Sequence, residues 1–231
     1  APDGTTTTLG RECSDYSAAV VANILDAESM AVWKDVDGVL NADPKIFSDT
    51  VKIPELNYID TIELAYSGAQ IIHPRTIKPL QNKNIPLYVR PFGDKHKLGT
   101  VICGTSPKVE VPILILKKEQ VLLVIRSRDF SFVLEEKFAT IFSLLEKYRI
   151  KVHLIHNSAV DIGVCVDQSW HIDEVVEALR AANFEVQKME DMELLTIRGY
   201  NDELRQKYST GPHVLIKQMS WESMRIVRKR Q

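Results

Sequence analysis

Apolar positions along this chain follow two rhythms, and the rhythm changes about halfway. Residues 16–25 form an apolar run behind Ser14, a suitable N-cap, so a helix is predicted to start there. Tyr58, Ile59, Ile62, Leu64, Ala65 and Tyr66 recur at helical spacing and predict a second helix ending near Gly68. Residues 75–81 read as a short helix. Residues 30–33, 71–72 and 87–89 read as short strands. Asp37, Gly38, Asn41, Asp43 and Pro44 crowd one stretch with turn formers and predict a loop. This first part is α/β. Two or three strands do not build a covered sheet by themselves, so a preceding part is expected.

Gly104, Ser106 and Pro107 mark residues 103–110 as the linker, followed by a strand at 111–116. Residues 121–125 then read as a buried strand. Phe132, Leu134, Phe138, Ile141, Phe142 and Leu145 give a helix to about Tyr148. Residues 152–155 and 162–166 are two strands joined by a short polar turn. Val175, Val176, Ala178, Leu179 and Ala182 make a further amphipathic helix, and a strand starts at 184–186. The order βαββαβ is a ferredoxin-like unit. A shorter echo follows, with strands at 194–197, 214–216 and 224–227 and a brief helix at 202–208. It lacks its second helix.

The 231 residues suit two small domains. A net charge of −2 gives no reason to expect nucleic acid or an anionic membrane as partner, and the basic end at Arg225, Arg228, Lys229 and Arg230 reads as a solvated tail. No apolar run approaches the roughly 18 residues of a membrane span, and the polar, Thr-rich start is not a signal peptide. Cys13, Cys103 and Cys165 are scattered and odd in number, which fits a reducing cytoplasm rather than a disulfide framework.

Chemistry concentrates at the start. Arg11 precedes a helix opening at Ser14 and Asp15, and a helix N-terminus with an arginine fork suits a phosphate or carboxylate. A plain N-cap with a surface arginine accounts for the same residues. Asp35 and Asp37 stand where a strand gives way to a loop, a position suited to ribose or to magnesium on phosphates. Taken alone, they suit a turn better. His73 reads as a hydrogen-bonded structural residue. His153 and His156, three apart on a strand, face opposite sides, so shared metal ligation is not expected and no metal site is assigned.

The segments TTLGR–x–x–SDYSAA, W–x–DV–x–GV, ADPK, IELAYSGAQIIHP, NIPLYVRPF and GT–x–I occur in an order that resembles the aspartokinases. The βαββαβ unit resembles the ACT domains that this family carries in tandem. The resemblance implies a partial amino-acid-kinase domain of three-layer αβα type at residues 1–104. It places a linker and a strand donated to the second ACT unit at 105–118, a first ACT domain at 119–190 and a shortened second one at 191–231.

The resemblance also implies ATP-dependent phosphorylation of L-aspartate to 4-phospho-L-aspartate, with Mg2+ accompanying ATP, on the route to lysine, threonine and methionine. Arg11 and Ser14 fall where aspartate is held, and Asp15 where a carboxylate organises phosphoryl transfer. Lys34, Asp35, Leu40, Lys45, Gln70 and Ile71 fall at nucleotide contacts. Lys34 replaces a usual threonine, Leu40 a tyrosine, Lys45 an arginine and Gln70 a lysine, while Glu12 and Cys13 replace two glycines. The family's phosphate-binding lysine and aspartate-binding glutamate lie upstream of this chain, so the chain alone is expected to be inactive. An alternative reading is an amino-acid-sensing, dimerising module without catalysis. An effector pocket is expected from Ser131, Leu134, Lys137, Phe138, Lys151, Val152, His153 and Ser158. His153 replaces a carboxylate there, which favours threonine or no effector over lysine. A homodimer is expected through the regulatory half, with the strand at 152–155 offering an unpaired edge.

Overall fold

The computed structural model describes residues 2–6, 13–69, 72–94, 96–107, 109–128 and 135–230. It divides into two compact units, Ala1–Ile115 and Leu116–Gln231.

The first unit is α/β. Its helices are α1 (Cys13–Ile24), α2 (Tyr58–Ser67) and α3 (Pro74–Asn82), and its strands are β1 (Met30–Lys34), β2 (Glu55–Leu56), β3 (Leu87–Pro91) and β4 (Thr100–Ile102). The sheet order is β1-β3-β4-β2, with β1 parallel to β3 and β3 antiparallel to β4. Alternation of buried and half-buried residues along β3 puts Leu87 and Val89 into a core shared with Leu56, Leu64, Ile77 and Leu80. The Asn57 side chain accepts from the Asp60 N–H and caps α2, and Gly68 ends that helix at φ 113, which a Cβ would oppose. His73 caps α3, its ring nitrogen accepting from Arg75 N, in keeping with a structural histidine.

Two expectations change here. Ser14 lies inside α1 rather than capping it, because the helix already includes Cys13. Ile72 is a buried bend and not a strand residue, while Ile71 lies outside the described residues. The short β2 and β4 carry no visible periodicity. The motif GT–x–I now has a physical reading: Thr100 is fully buried, its hydroxyl donating to Ile53 O at 2.6 Å and accepting from Val39 N at 2.8 Å.

The long strand β5 (Ile113–Ser127) begins in the first unit, where Ile113 and Ile115 join the core and Asn41 holds Pro112 O and Leu114 N. In the second unit follow α4 (Glu135–Lys147), β6 (Val152–Asn157), β7 (Asp161–Asp167), α5 (Ile172–Ala181), β8 (Phe184–Arg198), α6 (Asp202–Ser209), β9 (Val214–Met219) and β10 (Ser223–Lys229). They build one six-stranded sheet, β6-β7-β5-β8-β10-β9. Two separate strands were expected at 111–116 and 121–125, and two more at 184–186 and 194–197. Each pair is one 15-residue strand. The physical reason is a single left-handed residue in each, Glu119 at φ 54 and Asp191 at φ 57, which lets the strand bend without ending. Their carbonyls make matching bonds, accepting from Gln168 N and Arg230 N, each at 2.8 Å.

One face of this sheet packs Val121, Leu123, Ile125, Ile162, Val164 and Val166 against α4 and α5. The opposite face gathers Leu122, Leu154, Cys165, Met192, Leu194, Ile216 and Val227. Leu154 and Ile216 belong to the two outermost strands, so the sheet curls until its ends meet. Gln218 Nε2 donates to Ile155 O, and Arg225 Nη1 donates to His153 O at 3.2 Å. The expected unpaired edge at 152–155 is therefore occupied at these two carbonyls by side chains of the same chain.

Candidate functional site

Asp15 is the third residue of α1, in its first turn, where the helix N-terminus favours a negative charge. Lys34 is the last residue of β1, and its carbonyl accepts from Phe92 N at 2.7 Å. The two side chains meet, Lys34 Nζ lying 2.9 Å from Asp15 Oδ2, with both partly shielded from water. The structure thus joins the candidate catalytic carboxylate to a candidate nucleotide residue. Asp35 and Asp37 follow in the bend after β1. Asp35 is exposed, and Asp37 holds Lys97 Nζ through both oxygens at 3.0 and 2.9 Å.

Leu40 forms a lone bridge with Lys52. Lys45 is exposed in a turn where its N–H donates to Asp43 Oδ1. Ser14 is exposed. Arg11, Gln70 and Ile71 lie outside the described residues. Among the described residues no three His, Cys, Asp or Glu side chains are placed to hold a metal ion. Asp15 and Asp37 are both engaged by lysines.

In the second unit, His153 is the bulged residue of β6, inserted between the pairings Val152↔Val166 and Leu154↔Cys165. It is 4% exposed, whereas His156 is exposed. His153 Nε2 contacts Asp167 Oδ2 at 2.7 Å. Lys117 Nζ lies 3.1 and 3.3 Å from the two ring nitrogens, and Gln120 Nε2 donates to Asp167 Oδ1 at 2.9 Å. The His153 bond holds the Asp167 carboxyl well below the usual carboxylate range, against the opposing effect of burial. Burial also pushes the Cys165 thiol up to about 12, so this cysteine is inert.

Of the other expected effector residues, Lys137 Nζ donates to Ser127 Oγ at 2.7 Å, and Phe138 stacks on Phe142. Lys151 is exposed and Val152 half-buried. Ser158 is spent on the turn: its hydroxyl donates to Asp161 Oδ1 and accepts from Asp161 N. Ser131 and Leu134 lie outside the described residues. Sequence reasoning missed Lys117, Gln120 and Asp167, because partners distant along a curled sheet leave no local signal.

Residues 1–91 match the Amino acid kinase family. The chain is 35% identical over 170 residues to the Escherichia coli protein named lysine-sensitive aspartokinase 3, covering 71% of this chain and 36% of that protein. It is similar to the solved structure of E. coli aspartokinase III in complex with aspartate and ADP, with a TM-score of 0.80 and 25% identity over 98% of this chain and 54% of that one. The lysine- and aspartate-bound form of the same enzyme gives a TM-score of 0.77 at 26% identity over the same shares. The chain spans about a third of the length of the curated relatives it matches.

Proposed function

We propose that the chain is the C-terminal part of an ATP-dependent aspartate kinase of the aspartokinase family, carrying tandem ACT regulatory units. The observation that carries this reading is likeness over 98% of the chain to an enzyme solved with aspartate and ADP. In the proposed reaction a side-chain carboxylate oxygen of L-aspartate bonds to the γ-phosphorus. The bond from that phosphorus to the β,γ-bridging oxygen breaks, giving ADP and 4-phospho-L-aspartate. Such transfer is chiefly positioning and charge stabilisation.

Arg11 and Ser14 would hold aspartate, Asp15 would organise the transfer, and Lys34, Asp35, Leu40, Lys45, Gln70 and Ile71 would line the nucleotide. The described carboxylates make no cage for Mg2+, so the ion would travel on the nucleotide's phosphates. We assign residues 1–104 to the kinase domain, 119–190 and 191–231 to the ACT units, and the segment between to a strand shared with the second unit. The adjacency of β5 and β8 supports that sharing.

The test is phosphorylation of L-aspartate by the full-length parent with Mg·ATP. Arg11→Ala is expected to raise the KM for aspartate, and an unchanged KM would refute the assignment. This chain alone is expected to show no turnover. Regulation would answer to threonine or to no amino acid, since Lys151 and His153 would disfavour a second cation where the resemblance places a carboxylate. Tight binding of L-lysine in calorimetry would overturn that. A homodimer through the second unit, in a reducing cytoplasm, completes the reading. Sedimentation equilibrium checks the dimer.

A further inference from the structure

Lys34 is fixed at both ends. Its backbone is locked into the β1–β3 pair and onto Phe92 N, and its ammonium is held at 2.9 Å by Asp15 in the first turn of α1. Ligands of open α/β sheets sit beyond the C-terminal ends of the strands, which is where this ammonium stands. An ammonium carries three N–H donors, and Asp15 takes one. The pair is only partly shielded, at 32% and 18% side-chain exposure, so the remaining donors are within reach of a ligand.

Two other lysines of this region are more open to water than Lys34. Lys97 is gripped by both oxygens of Asp37 and is half exposed, and Lys45 stands exposed on a turn. A plain ribose or adenine contact needs neither a full positive charge nor a carboxylate to aim it, whereas a phosphoryl group with developing negative charge uses both. Asp15 alone would repel that group. With Lys34 on it, the pair is close to neutral and still presents a directed cation.

Resting on the kinase reading above, we propose that Lys34 contacts the terminal phosphates of the nucleotide and that Asp15 acts on the reaction through it, as its positioning residue. Lys34 is thereby assigned to the reacting end of the nucleotide.

The experiment is calorimetric titration of the full-length parent with AMP, ADP and ATP, in wild type, Lys34→Met, Lys34→Arg and Asp15→Asn. Loss of a charge-assisted contact predicts that Lys34→Met weakens ATP about 10- to 100-fold while AMP changes less than about twofold. Lys34→Arg should recover most of the ATP affinity, and Asp15→Asn should fall between. Equal loss for all three nucleotides, or no loss, would show that the pair only braces β1 against α1 and would overturn the proposal. Lys34→Gln, which can still hydrogen-bond Asp15, replaces Lys34→Met if that variant does not fold. A parent that binds ATP through Lys34 yet does not phosphorylate aspartate refutes the kinase reading and leaves Lys34 assigned. Failure to bind any nucleotide overturns both.

Discussion

His153 Nε2 lies 2.7 Å from Asp167 Oδ2, while the Lys117 ammonium sits within 3.3 Å of both nitrogens of the same ring. The buried ring thus stands between the Asp167 carboxylate and the Lys117 ammonium. The arrangement ties β5, β6 and β7 together at one point of the curled sheet.

Asp167 is the anion of that cluster, and its carboxyl titrates below the unfolded value of about 3.9. Its stabilisation is therefore present above about pH 4 and is lost as pH falls through the lower folded value. Asp167→Asn should cost about 1 kcal/mol at pH 7, a modest figure because the side chain is half exposed. The gap between wild type and variant should close as pH is lowered from about 5 to about 2. Urea unfolding across that range checks it, and a gap independent of pH would contradict it.

Lys117 behaves oppositely. Burial is the first cause lowering its pKa, and Lys151 and Arg225 add repulsion against the attraction of Asp167. Lys117→Met should be neutral or stabilising by up to about 1 kcal/mol, because a desolvated cation is exchanged for an apolar chain of similar length. A clear loss of stability in denaturant unfolding would show that the ammonium is needed to hold the ring.

Little of this cluster was legible in the sequence, and the reason is geometric. Helices and half-buried strands write their periods into adjacent residues, which is why α2, β3 and β7 are found within a residue or two of expectation, and α5 starts three residues before its first expected position. Glu119 and Asp191 hide the continuity of β5 and β8, since one left-handed residue among charged neighbours reads as a loop. Lys34 was legible as a nucleotide candidate only through resemblance. Its partnership with Asp15 joins a helix start to a strand end 19 positions apart, which no local pattern encodes.

Tyr58 offers a test at the alkaline end. Its ring is 3% exposed, its hydroxyl donates to Ile85 O at 2.6 Å, and burial, with help from Cys103, pushes its pKa up to about 12. The folded value exceeds the unfolded one of about 10, so its contribution is intact below about pH 10 and drains away toward pH 12. Tyr58→Phe should cost about 1 kcal/mol at pH 7 and flatten the alkaline loss between those values. Phenolate absorbance alongside unfolding curves would show whether the late-titrating tyrosine is this one.

Gly99 marks a backbone position that accepts no side chain. It has φ +69, and a Cβ there would stand 1.9 Å from Val89 O. Gly99→Ala should cost more than about 3 kcal/mol, because a backbone carbonyl of β3 would have to move. Thr100→Val should cost about 2 kcal/mol by stranding Val39 N–H and Ile53 C=O in the core. Thermal unfolding of both variants tests the ordering, and a Gly99→Ala protein as stable as wild type would refute it.

The bonds from Gln218 and Arg225 to the carbonyls of Ile155 and His153 bear on how copies of this chain recognise one another. A bare outer strand is a docking template for any extended peptide, including a misfolded neighbour. Here the template is already occupied by side chains of its own chain. A second copy cannot extend the sheet at β6 without first breaking those two bonds. Indiscriminate strand addition, and the fibrous growth that follows from it, is thus held off by the same curl that brings the ends of the sheet together.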